Sequence, residues 1–216
     1  VYGGDRKSLD VHMHLMEAFT NLFEATGSRL HREKTMEMIN LIMTRILHPE
    51  HRTGIAQFTF DWKPLRQILF ADVWGSDRDV DSDEGRPLNN TSFGHNVEFA
   101  WLLIHATRIL GLDIEPFKPT LRKIFDHCLQ YGIDWERGGV YCEGPNDGPA
   151  RERNKEFWQQ AECLVGLLDA YLLFRDPRYL DAYEKVHRFV MDVVINHPVG
   201  EWFPLFDEQN NLIWDY

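Results

Sequence analysis

The chain has little cysteine, a deficit of positive charge and no long apolar run. Its three cysteines, Cys128, Cys142 and Cys163, form no CxxC pair and are odd in number. That argues against a disulfide framework and fits reduced thiols in a cytoplasmic protein. Lys and Arg number 23 against 34 Asp and Glu, a formal net charge of −11. Such a balance argues against nucleic acid and anionic membrane surfaces as partners, because both require a positive face. A neutral or cationic small molecule fits better. The apolar runs are short and broken by charges, so no bilayer span is expected. There is no GxGxxG, no P-loop, no GxSxG elbow and no HExxH, which sets aside the chemistries those motifs carry. The remaining resource is imidazole and carboxylate, in 216 residues of which 44% are hydrophobic and 26% charged. That length suits one large domain or two small ones with a sizeable core.

Two patterns raise the question of a metal, and neither sustains it. His12 and His14 form an HxH pair, but residues two apart on a helix face away from each other. The acidic stretch 77–85, DRDVDSDEG, resembles a calcium loop, which needs Gly at its sixth position and Glu at its twelfth. Counted from Asp77 those positions hold Ser82 and Leu88; counted from Asp79 they hold Glu84 and Asn90. The stretch reads as an acidic surface loop, and neither metal nor cofactor is expected.

Apolar periodicity predicts six helices. They run from about Leu9 to Ala25, Arg29 to Leu47, His95 to Gly111, Pro116 to before Gly132, Lys155 to Phe174, and from after Asp176-Pro177 to before Pro198. Gly27 and Pro49 stop the first two. Connections within a pair are short. Between pairs lie GIAQFTFDW, GGVYCEGPNDG and GEWFPLFDEQNN, whose glycines, aromatics and Asn-Asp-Gly turn chemistry predict short strands or hairpins. Aligning MHLMEAF, GHNVEFAW and WQQAECL puts Glu17, Glu98 and Glu162 in register, three residues after His14, His95 and Gln159. A threefold repeat of helix pairs implies a curved or closed array, with the first helix of each pair inside.

Buried carboxylates cost several kcal/mol unless paired, so three at equivalent positions suggest a lined cavity. On a helix, residues three apart are neighbours, so His95 and Glu98 can share a substrate, or Glu98 can hold the imidazole in one tautomer. His14 shares a face with Glu17. Trp101 continues the same side of its helix, where an ordinary core role competes with a binding one. Trp158 and Trp202 fall at element ends, where a pocket rim is expected, whereas Phe157 fits an aromatic core.

The segments KSLDVHMHLMEAFTNL, SFGHNVEFAWLL, NKEFWQQAE and GEWF together resemble the N-acylglucosamine 2-epimerase superfamily, in particular its cellobiose and mannose 2-epimerase branches. The resemblance covers nearly the whole chain, in order. It implies an all-α (α/α)6 barrel of twelve helices and cofactor-free epimerisation at C2 of a reducing sugar. One histidine takes the C2 proton of the open-chain aldehyde to give an enediolate, and another returns a proton on the opposite face. It assigns His95 as catalytic base, Glu98 as its supporting acid, and His14 to ring opening and enediolate stabilisation. Trp101, Trp158, Glu162 and Trp202 fall on sugar-contacting positions. The chain departs from the family pattern at Asp10, Phe93, Asn96 and Phe157, which leaves monosaccharide epimerisation open.

Six helices are half of twelve, and the family's second catalytic histidine, in a WKxPYHxxR-like segment, is absent from this sequence. The expectation is therefore a single domain over 1–216, the C-terminal half of a barrel without its last helices. Such a chain would be inactive by itself and prone to self-association through uncovered half-barrel surface. Three other readings stay open: an aldose–ketose isomerase sharing the enediolate, a glycoside hydrolase using Glu98 and Glu162, and a non-catalytic carbohydrate binder.

Overall fold

The computed structural model describes residues 6–55, 57–65 and 89–214; the acidic stretch 77–85 lies outside them. Among the described residues there are six α-helices in three consecutive pairs: α1 (Leu9–Thr26) with α2 (Arg29–Leu41), α3 (Phe93–Leu110) with α4 (Lys118–His127), and α5 (Phe157–Phe174) with α6 (Pro177–Phe189). α3 packs against both α1 and α5, which makes the first helix of each pair the inner one. This is the all-α, (α/α)6-type architecture, present as three of its helix pairs.

The three units agree residue by residue. Each inner helix has 18 residues, preceded by an extended N-cap (Ser8, Ser92, Glu156) and closed by a left-handed residue (Gly27, Gly111, Arg175). Glycine takes that conformation without steric cost; at Arg175, with φ 54°, a side chain has to tolerate it. Each outer helix ends in a π-helical turn, at Ile42–Ile46, Cys128–Gly132 and Val190–Val194. The predicted second helix to Leu47 is thus α-helical only to Leu41.

The segments between pairs form strands, as expected, but most of the pairing is not local. β1 (Arg6–Ser8) pairs with β2 (Gln57–Thr59), β4 (Thr91–Ser92) with β5 (Glu143–Gly144), and β6 (Lys155–Glu156) with β9 (Leu205–Phe206), all antiparallel. The strand leaving each unit therefore returns to the strand that enters it, with Ser8↔Gln57, Ser92↔Glu143 and Glu156↔Leu205 as equivalent pairs. Further bridges join Leu47 to Gly54 and Ile133 to Val140, and β7 (Ile195–Asn196) pairs with β8 (Glu201–Trp202). β3 (Pro64–Leu65) and β10 (Leu212–Trp214) extend two of these sheets. The fifth helix begins at Phe157 rather than Lys155, because Lys155 and Glu156 are held extended by β9.

This register corrects the sequence alignment of the first unit. Counted from the N-caps, His14, Glu98 and Glu162 are equivalent, each six residues into its unit, and Glu17 is equivalent to Trp101. The alignment that matched Glu17 to Glu98 was displaced by one turn. A slip of three residues keeps the same helix face towards the core, so periodicity does not reveal it.

The core runs through all three units, from Met13, Met16 and Ile42 through Phe93, Phe99 and Phe125 to Leu167, Tyr179 and Val186. α3 is buried on nearly all sides, and α3 and α5 approach closely at Gly166, where an added Cβ would stand 2.3 Å from Cγ1 of Val97. The outer flanks of the inner helices α1 and α5 are different. Val11, Leu15 and Leu22 on α1 and Val165, Leu168 and Leu172 on α5 are exposed. Cys128, Cys142 and Cys163 are free and buried. A buried ion pair joins Lys155 Nζ to Asp134 Oδ2 at 2.7 Å, and the same ammonium donates to Gly138 O and Asn210 Oδ1. No helix of the described residues is long and apolar enough to cross a membrane.

Candidate active site

The three equivalent inner-helix positions converge. Nε2 of His14 lies 3.5 Å from Oε1 of Glu98, and Glu98 in turn feels the charge of Glu162. His14 is exposed, Glu98 is buried and Glu162 is half-buried. The second face of the His14 ring is also occupied: Nδ1 lies 3.0 Å from Oε2 of Glu17, and Nε2 is 3.3 Å from Oδ1 of Asp10. With both ring nitrogens against carboxylate oxygens, the doubly protonated imidazolium is the form that satisfies them. Burial works to lower the His14 pKa, but the Glu17 hydrogen bond and the charges of Glu98 and Asp10 outweigh it and raise it.

His95 is the opposite case. Its side chain is only 12% exposed, and its backbone N–H is held by the N-cap Ser92 Oγ at 3.2 Å. Burial, with the nearby His14 charge adding to it and Asp10 opposing, lowers its pKa to about 4. At neutral pH it is an unprotonated base. Glu98 is displaced the other way: burial, reinforced by Glu162, raises its pKa to about 8, so at neutral pH it carries its proton. The site thus combines an imidazole held well below its ordinary pKa, an imidazole raised above it and a carboxyl raised to about 8, on two adjacent helices.

Aromatic groups flank this cluster. The Trp158 ring lies against His95, centroids 4.6 Å apart at 45°. Its Nε1 donates to Oε2 of Glu156 at 2.8 Å, and the same oxygen accepts from Nε2 of Gln159. Gln159 Oε1 accepts the Gly94 N–H at 3.0 Å, which ties the start of α5 to the start of α3. Trp101 donates its Nε1–H to Glu162 Oε2 at 2.8 Å; burial raises the Glu162 pKa and this bond partly offsets it. Trp202 lies on β8, half-buried and packed on the core; its strand leads into the segment whose Pro204 O accepts the Phe157 N–H.

The structure thus brings His14, Glu98 and His95 together, with Glu162 and Trp101 joined beside them and Trp158 over His95. Trp202 sits one hairpin away, next to the α5 N-terminus. Phe157 is 39% exposed and is not a core residue, contrary to the expectation from its sequence. Asn96 accepts the Gly54 N–H at 2.7 Å and donates to Thr91 Oγ1, so it pins the first inter-pair segment to α3. Two participants, Asp10 and Glu156, are not assigned to the site by the sequence. Asp10 and Glu17 stand four residues before and three after His14, a spacing that places them on its face. Glu156 becomes visible as a partner of Trp158 only once the β6–β9 pairing fixes its place.

Helix pairs whose inner members carry imidazole and carboxyl groups at matched positions, on one end of a curved array, define an (α/α)6-type protein with an acid–base site. The chain belongs to the N-acylglucosamine 2-epimerase family, whose model matches residues 5–215. It is 27% identical over 205 residues to a cellobiose 2-epimerase of Dictyoglomus turgidum, covering 94% of this chain and 46% of the relative. It is 23% identical over 204 residues to a D-mannose isomerase of Marinomonas mediterranea, covering 93% and 48%. The solved structure of a cellobiose 2-epimerase from Spirochaeta thermophila superimposes with a TM-score of 0.78 at 30% identity, over 97% of this chain and 47% of that one. The chain spans about half the length of the relatives it matches.

Proposed function

We propose that this chain forms part of a sugar 2-epimerase acting on a reducing sugar, cellobiose-type or mannose/glucose, through proton transfer at C2. The observation that carries the reading is the split of proton affinities across one contact cluster: His95 shifted down, His14 and Glu98 shifted up. His95 takes the C2 proton of the open-chain aldose, and the C–H electron pair moves into the C1 carbonyl to give an enediolate. The negative charge on oxygen develops beside the His14 imidazolium and the Glu98 carboxyl, both able to donate. Return of a proton to C2 from the opposite face requires a second acid and gives the epimer. Trp158, Trp101 and Trp202 offer apolar faces for sugar rings, and Glu162 a hydroxyl acceptor. The domain reading follows the same line: three helix pairs over 1–216 as the C-terminal half of a six-pair barrel, supported by the half-length match to the relatives.

A second reading is an aldose–ketose isomerase, favoured by the D-mannose isomerase among the relatives. It shares every step to the enediolate and differs in returning the proton to C1, with the O2 hydroxyl giving up its proton as C2=O forms and O1 taking one. The test is proton NMR of cellobiose, mannose and glucose in D₂O with the intact gene product. Deuterium at C2 together with the epimer, abolished by His95→Ala, is the expected result; deuterium at C1 with a ketose selects the isomerase. No exchange on any of the three from folded protein sinks both.

A further inference from the structure

Asp10 occupies a position that neither the chemistry above nor the repeat requires. Its equivalents in the other units are Gly94 and Trp158, counted two residues from each N-cap, so its carboxylate is not part of the repeated frame. Yet Oδ1 reaches two imidazoles on different helices, Nε2 of His14 at 3.3 Å and Nε2 of His95 at 3.9 Å. We propose that Asp10 is a positioning residue of this site, a carboxylate shared by His14 and His95 that ties the two imidazoles, carried on different helices, to one negative charge.

The geometry supports this in three ways. A single oxygen close to both rings places one negative charge where a proton on either ring is stabilised, and the two rings compete for it. The nearer ring is the more exposed and is already bonded to Glu17, whereas the farther ring is buried, so the same charge meets two different surroundings. Asp10 also lies in the first turn of α1, at the positive end of the helix. The other charged groups facing His14 are Glu17 on its own helix, Glu98 and His95 on α3, and Glu162 on α5. Of these carboxylates, Glu17 reaches His14 as closely as Asp10 does but stands about two turns further along α1. Asp10 is therefore the group whose removal is expected to move both histidines, and Glu17 the group whose removal moves one.

The proposal rests on the acid–base reading of the site, and its test separates the two. Imidazole titrations of His14 and His95 are followed by ¹H–¹⁵N NMR in the wild type, in Asp10→Asn and in Glu17→Gln, with circular dichroism verifying that all three are folded. Asp10→Asn is expected to lower the His14 titration by about one pH unit, the scale of one charge at this distance in a water-like medium, and to lower that of His95 by less. Glu17→Gln is expected to lower His14 and leave His95 without a downward shift. If Asp10→Asn leaves His95 where it was, or Glu17→Gln moves both rings alike, the coupling role is overturned. If both titrations move as expected but the wild-type enzyme exchanges no deuterium, the coupling stands and the epimerase reading falls.

Discussion

Oε1 of Glu98 lies 3.5 Å from Nε2 of His14, and the two residues occupy the same position in neighbouring repeats. One inner helix thus presents a carboxyl where the preceding one presents an imidazole, and the gap between them becomes an acid–base contact. The strongest perturbations in the site, at Glu98 and His95, follow first from burial, and at Glu98 the charge of His14 works against the shift.

Glu98 has a folded pKa of about 8, above the ordinary value of 4.5. The folded chain therefore binds a proton that the unfolded chain releases between those values. This contribution to stability is full below the unfolded pKa and is lost as pH rises through about 8. Glu98→Gln cannot lose it. Thermal melts of both proteins from roughly pH 5 to about pH 9 are expected to show the variant gaining stability relative to wild type as pH rises. A constant difference across that range would mean that Glu98 is ionised throughout.

Lys155 is fully buried, with its three ammonium donors taken by Asp134, Gly138 O and Asn210. Lys155→Met leaves the Asp134 carboxylate buried without its cation. It is expected to cost about 3–5 kcal/mol in denaturant unfolding, the range for breaking one side of a buried pair. Adding Asp134→Leu is expected to recover part of that loss. A single variant within roughly 1 kcal/mol of wild type, close to the size of a neutral surface change, would show that Asp134 is solvated.

Val11, Leu15 and Leu22 on one flank and Val165, Leu168 and Leu172 on the other leave apolar stripes on α1 and α5. The 216-residue chain on its own is expected to self-associate through them. Light scattering should give a mass above that of a monomer, and Leu15→Ser with Leu172→Ser should lower it. A monodisperse wild-type monomer would count against association through these flanks.

Helix number, pairing and inner–outer order are legible in the sequence because each depends on local signals. Gly27 and Gly111 stop helices, Pro177 starts one, and apolar spacing marks the buried face. His14, Glu98 and His95 are legible as a group because ionisable side chains on the inward face of a helix are costly there unless they pair with one another or meet a ligand. What escapes is decided by contacts far apart in the chain. The register of the first unit depends on the Ser8–Gln57 pairing, and the place of Glu156 on its pairing with Leu205. Asn96 stands out in the sequence only as a departure from the family pattern beside His95; one step along the helix turns its amide to Gly54 and Thr91, a role the sequence does not show.

The equal length of the three inner helices has a consequence for how such a protein can diversify. Each spans about 27 Å between a fixed extended cap and a fixed left-handed stop, whereas the segments joining the units differ greatly in length, residues 47–92 against 133–156. Length changes are thus confined to the joining segments and leave the three inner helices untouched. Each ionisable group of the cluster keeps its place on its helix whatever the chain between units becomes, so the joints can vary while the acid–base frame is held constant.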